Sequence, residues 1–540
     1  MPSTEYSGSG IHESVLCWRK FLTLNHYYSV LRTIALFLSF WTIALLLQSL
    51  SGSFAAPFGA YPDEPSHYLS GLLIYDWLHA GGPAQAFASN YYLHLPYFAI
   101  GYWPPLFYWL EAAWMTLFGV GRPALLVLIA GISALWSATF FHLLKPRIGT
   151  WPAAALGLAF LLFPAVEWSN RLVMTDTFYG LLCLWALVAL GRFIDRPTWR
   201  ACLTFGVLGG CALLAKNNSI FVLLTAALIP WFSNRRNLYR RPSFYAACFI
   251  PLAIWAPWLW IARSYLAMGI AGVARPSLPQ LAGQIGAESF LQLTTLLVPM
   301  VMGWRKLSRS NPTGMTFALA PLCFLAFLAA TRVPILPRYL IPACGLLLLS
   351  AGHGWTRAAW PAVAAFALLS VVQYEPRSAN NIRPVVDFVT AHADPSDGSV
   401  LVPTGQEGGF IAEFARKDRI RPVRVCVRPR KLLIDTNWHS GFYRLKYETP
   451  LEVEAALSSI PLRFAILDRA STLPHDELLA AALQSPDWRL IRDGPYALYE
   501  RMGPLSAWTP QSLERAAGRD HAPVLGFLEN RESAQVRMRE

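Results

Sequence analysis

Eleven apolar runs fill about half of the first 373 residues, and they constrain the fold more than any other feature. They cover roughly 33–50, 123–143, 151–168, 178–194, 201–215, 219–232, 244–262, 287–303, 314–330, 339–352 and 356–373. A bilayer core of about 30 Å is crossed by about 20 apolar residues in a helix. Within it every backbone N–H and C=O must bond inside its own segment, so such runs read as helices. Of the 540 residues 54% are hydrophobic and 14% charged. Soluble domains carry about 25% charge, which excludes an ordinary soluble enzyme.

The net charge of +13 assigns the sides. Residues 375–540 hold 22 basic and 22 acidic side chains, whereas 1–374 hold 23 basic and 10 acidic. A further stretch, 103–119, carries Glu111 and opens on Pro104–Pro105. If it stays on the outer face, the inner loops receive 16 of the 23 basic residues, as positive-inside topology requires; if it spans, the bias reverses. The expected arrangement is therefore about eleven spans with an inner N-terminus, the first span being uncleaved. Basic residues scattered among apolar runs mark membrane topology and exclude a nucleic-acid groove. The eight cysteines form no CxxC pair, so neither a zinc site nor a disulfide framework is expected.

The domain reading is a transmembrane part over 1–374 with its first outer loop at 51–122, a soluble α/β domain over 375–505, and a polar, poorly ordered tail over 506–540. Short β-like runs at Ser399–Pro403, Val423–Val427, Phe464–Leu467 and Ala497–Glu500 alternate with helical stretches near 409–417, 451–459 and 475–484.

Ionisable side chains at membrane depth are costly and point to function. In this arrangement Asp63, Glu64 and His67, then Asp176, Lys216, Arg332 and Arg338 all reach one face. Each has a structural alternative: Asp63–Glu64 and Asp176 as acidic helix starts, Lys216 as a snorkelling lysine, Arg338–Tyr339 as an interfacial anchor, His67 and His94 as packed histidines. Their convergence favours a site for an anionic lipid and a nucleophilic acceptor. A transporter or flippase of a lipid-linked or anionic solute is the alternative reading.

Four motifs then carry a resemblance. They are Asp63–Glu64 after the first span, Trp103–Pro104–Pro105–Leu106–Phe107–Tyr108, Met174-x-Asp176, and Arg338–Tyr339–Leu340-x-Pro342, with Leu214–Ala215–Lys216 as a lysine turn. In their order and spacing they resemble the GT-C membrane glycosyltransferases, in particular bacterial relatives of protein O-mannosyltransferases and of the lipid A aminoarabinose transferase. The resemblance implies a polytopic helical fold with outer-face interfacial helices and a periplasmic α/β domain, in a bacterial inner membrane. It implies inverting transfer of a hexosyl or pentosyl group from a polyprenyl-phosphate sugar to a glycan, lipid or protein acceptor. By the same resemblance Asp63, Glu64 and Asp176 are catalytic, Asp63 as the base that deprotonates or orients the acceptor, and Glu64 and Asp176 in support of the acceptor pocket or of a divalent cation such as Mg or Mn. Lys216, Arg338 and Tyr339 hold the donor phosphate, and His67, His94, Trp103 and Tyr108 line the acceptor or the cavity.

Overall fold

The structure, a computed structural model, describes residues 9–271, 277, 279–280, 292–331, 336–372, 377, 381–436 and 443–517. Arg332 and the tail from 518 onward lie outside the described residues. The chain begins with α1 (Ser9–Leu50), followed by α2 (Asp63–Ala80), α3 (Ala84–His94) and α4 (Leu106–Phe118) in the first loop. Then come α5 (Arg122–Ile148), α6 (Thr150–Leu161), α7 (Pro164–Asn170), α8 (Asp176–Asp195), α9 (Trp199–Ala215), α10 (Ile220–Phe232) and α11 (Pro242–Ala271). Helices Leu297–Ser308, Pro312–Thr331, Ile341–His353 and Ala359–Val372 complete this part.

Among the described residues five helices are long and apolar enough to cross a membrane, or six if α6 and α7 are one bent span. The run expected as a single span at 151–168 is thus broken by 61°. Pro164 lacks the N–H needed to continue α6 and serves instead as the first residue of α7. Several remaining runs form helices of 12 to 17 residues, shorter than a full crossing. α4 has 13 residues, about 20 Å of helix. It lies against α2, where Gly71 makes room for the Glu111 side chain.

Small residues set the helix spacing. Gly206 and Gly210 on α9 receive Ile250 and Ile254 of α11, so the two backbones approach closely. Gly180 on α8 and Gly345 both abut the buried ring of Trp136 on α5.

Beyond these helices lies a five-stranded sheet of order β2-β1-β5-β7-β6. Its strands are β1 (Val400–Leu401), β2 (Cys426–Val427), β5 (Phe464–Asp468), β6 (Trp488–Arg492) and β7 (Tyr496–Arg501), with a separate hairpin of β3 (Ile434–Thr436) and β4 (Tyr443–Leu445). β1 runs parallel to β2 and β5, while β7 is antiparallel to β5 and β6. Side chains alternate between faces. Val400, Phe464, Ile466 and Leu498 join the apolar core that continues into the membrane helices; Leu401, Ala465, Leu467 and Tyr499 build a second core on the other face. The expected tail from 506 instead begins with a helix, Pro510–Ala517, whose Ala516 and Ala517 are buried. Ala516 packs into that second core, which holds the segment in place.

Candidate functional site

Each candidate side chain is presented by an interruption in a helix. Asp63 opens α2 and Asp176 opens α8, where the unpaired N–H groups of a first turn favour a carboxylate. Lys216 is extended between α9 and the 3-10 turn Asn217–Ser219, so its side chain is freed from both helices. Arg338 and Tyr339 lie in the 3-10 turn Pro337–Leu340 just before helix Ile341–His353.

These interruptions meet. The Lys216 ammonium donates to Asp176 Oδ1 at 2.5 Å. It is boxed by the rings of Trp103, Tyr179 and Tyr339, whose centroids lie 4.7, 5.0 and 4.5 Å away. Ring faces attract a cation most strongly where water is excluded, and Lys216 is buried. Burial lowers its pKa to about 8 against the opposing pull of Asp176. Arg338, equally buried, donates from Nη2 to Asp63 Oδ2 at 2.5 Å and packs over Tyr61 and Tyr339. Its Nε makes no hydrogen bond to a described residue, and neither does Asp176 Oδ2. Asp63 differs from its neighbours: its side chain is 37% exposed, while those of Asp176, Lys216 and Arg338 are 0–2% exposed. It is thus the carboxylate that an incoming molecule can reach.

His67, one turn along α2, is buried with Nδ1 2.9 Å from the Tyr108 hydroxyl and its ring stacked on Trp103. Burial, reinforced by Arg338 and Lys216, lowers its pKa to about 3, so it is neutral near pH 7. The structure thus brings together Asp63, His67, Trp103, Tyr108, Asp176, Lys216, Arg338 and Tyr339.

Two expected residues do not belong with them. His94 ends α3 and its Nδ1 pairs with the Asn90 carbonyl of its own helix. Glu64, turned about 100° around the helix from Asp63, meets different partners. Arg122 donates to its Oε1 at 2.8 Å, Arg377 to its Oε2 at 2.8 Å, and Val173 N–H to Oε1 at 3.2 Å. Fully buried and with both oxygens engaged, Glu64 stands in an ion-pair cluster with Arg122 and Arg377, apart from Asp63 and Arg338. Asp176, the other expected metal ligand, is engaged by Lys216 through Oδ1 only. Among the described residues no three His, Cys, Asp or Glu side chains gather to hold a metal. A divalent cation on Glu64 and Asp176 does not fit these residues.

The sequence reading missed Tyr61, Tyr179, Arg122 and Arg377. Tyr179 had a signal: it stands three residues after Asp176, on the same helical face. Arg122 and Arg377 find Glu64 only through the fold.

The apo crystal structure of ArnT from Cupriavidus metallidurans aligns over 91% of this chain and 99% of ArnT, with a TM-score of 0.62 at 14% identity. ArnT bound to undecaprenyl phosphate aligns over 88% and 99%, with a TM-score of 0.58 at 14% identity. The chain thus shares the fold of ArnT. The sequence model of the dolichyl-phosphate-mannose-protein mannosyltransferase family matches residues 103–261, less than a third of the chain. That stretch includes Trp103, Tyr108, Asp176 and Lys216 but neither Asp63 nor Arg338. No curated protein matches the sequence.

Proposed function

We propose that the chain is a membrane glycosyltransferase that moves a sugar from a polyprenyl-phosphate donor to a hydroxyl or amine acceptor. The observation that carries this reading is the pairing of one reachable carboxylate, Asp63, with a buried cation, Arg338, beside a second buried cation, Lys216, in an aromatic box. The undecaprenyl phosphate bound to the similarly folded ArnT supports the donor class.

In the proposed reaction the acceptor oxygen or nitrogen attacks the anomeric carbon from the face opposite the phosphate, and the configuration inverts. The bond between the anomeric carbon and the phosphate oxygen breaks, and its electron pair leaves with the polyprenyl phosphate. Asp63 takes the acceptor proton as general base. Lys216 and Arg338 stabilise the charge on the departing phosphate, with Tyr339 bracing both cations. His67, neutral and held by Tyr108, stands beside Trp103 on the sugar or acceptor side of the proposed site. No step runs through a metal.

The proposal includes transfer of a hexosyl or pentosyl group at the periplasmic face of a bacterial inner membrane, with the N-terminus inside, the sheet-bearing unit outside, and a glycan, lipid or protein as acceptor. Membrane transport has no comparable support, because the Lys216–Asp176 and Arg338–Asp63 pairs meet at one aromatic-lined site beside Tyr339. Asp63→Asn is expected to lower transfer of a labelled sugar from a polyprenyl-phosphate donor by about 10²- to 10⁴-fold, the usual contribution of a general base. Wild-type transfer by a membrane-inserted Asp63→Asn protein would sink the assignment.

A further inference from the structure

α2 bears the proposed base at its first residue, and its two ends are held by the part of the chain beyond the last apolar helix. At the start, Arg377 donates to Glu64, and also to the carbonyls of Pro57 and Arg171 at 2.9 and 2.6 Å. Toward the end, Arg421 grips Asp76 with both arms: Nε to Oδ2 at 2.9 Å and Nη2 to Oδ1 at 3.0 Å. The remaining Nη1 of Arg421 donates to the carbonyls of Ala415 and Asp418 at 3.0 and 2.5 Å, which fixes the guanidinium in the sheet-bearing unit. Tyr91 completes the Asp76 carboxylate from α3 at 2.9 Å. Between these points helix Glu407–Lys417 packs along α2.

A two-pronged Arg–carboxylate contact fixes direction as well as distance. Asp76 lies 13 positions along α2 from Asp63, nearly four turns, so it touches none of the reacting groups. Its geometric effect on the helix nonetheless reaches the first residue, because an unbroken helix transmits rotation and shift along its axis.

We infer that the sheet-bearing unit is a positioning element for catalysis, with Arg421 acting through Asp76 to hold Asp63 in line with Arg338. This rests on the proposed role of Asp63. Arg421 is thus a positioning residue, and the unit would couple its own state to the reaction without contributing a group to it.

The test compares wild-type, Arg421→Gln, Arg421→Lys and Asp76→Asn proteins in detergent, by steady-state sugar transfer and by amide hydrogen exchange. Arg421→Gln and Asp76→Asn should lower kcat by about 10- to 100-fold, the scale of a displacement of about 1 Å. KM for the lipid-linked donor should stay within about two-fold, since binding groups untouched by the change keep their affinity. Exchange should quicken in residues 64–80 while α8 stays protected. Arg421→Lys, which keeps the charge but offers a single prong, should recover part of kcat. Unchanged kcat and unchanged α2 exchange would overturn the inference, as would quickened exchange throughout the protein with kcat and KM failing together. The Asp63→Asn variant separates the two ideas. If it is inactive while Arg421→Gln is fully active, only the positioning role falls; if it is active, the reading of the site falls first.

Discussion

Arg338 donates to Asp63 across 275 positions of sequence, joining the turn before a late helix to the first residue of α2. The contact places a buried, permanent cation against the carboxylate that stands at the mouth of the site. The same guanidinium keeps its Nε without a hydrogen-bond partner among the described residues, available to the phosphate of the proposed donor.

Replacing Arg338 separates these roles. Arg338→Met should lower transfer by about 10²- to 10³-fold, the scale of losing one preorganised charge donor. Arg338→Lys should recover only a small part, because an ammonium cannot serve Asp63 and a phosphate in the fixed directions of a guanidinium. Steady-state rates with a labelled polyprenyl-phosphate sugar provide the check; equal rates for Arg338→Lys and wild type would remove Arg338 from the reaction.

Lys216 makes the reaction sensitive to alkali. With its pKa lowered to about 8, the free protein loses this cation as pH rises past that value, and phosphate capture weakens with it. The pH profile of kcat/KM, which reports the free protein, should fall above about pH 8. Lys216→Arg should lack that limb, since a guanidinium stays charged. His67 should contribute no limb between pH 5 and 7, because its pKa is lowered to about 3.

Glu64→Gln should damage the fold more than the chemistry. It leaves the Arg122 and Arg377 charges buried with a neutral partner, and breaking a buried ion pair costs about 3–5 kcal/mol. The measurement is thermal unfolding in detergent, where a lower midpoint is expected and added Mg or EDTA should not shift the wild-type midpoint. A metal-dependent midpoint lost in Glu64→Gln would restore the cation-binding role.

Gly180→Ala tests the packing that brings α8 to the site. Alanine ordinarily improves a helix by up to about 1 kcal/mol. Here its Cβ would lie 2.4 Å from the Trp136 ring, which is buried and unable to yield. The expected result is a loss of about 1–3 kcal/mol, as in overpacked cores. Trp136→Leu in the same protein should recover part of the loss in thermal unfolding. A Gly180→Ala protein as stable as wild type would show that the helices can separate freely at this point.

Much of this molecule was legible along the chain because the signals are local. An apolar run dictates a helix wherever water is absent, and alternation of apolar residues dictates the strands near 400, 464 and 497. Asp63, Asp176, Lys216 and Arg338 stood out because a charge beside an apolar helix is costly without a purpose. Sequence alone could not divide the work between Asp63 and Glu64, since adjacent carboxylates look alike on paper. Helical geometry turns them to different neighbours, one to Arg338 at the open face and the other to Arg122 and Arg377 in the interior. It also could not show the bend at Pro164 as a break between two helices, nor the helix Pro510–Ala517, whose packing depends on a core formed with distant strands. The sequence by itself determined which segments leave water and which charges accompany them, because transfer free energy and helical periodicity act over a few residues. Only the tertiary structure decided which acid meets which base, because those pairs are closed by packing across 40 to 313 positions that no local pattern encodes.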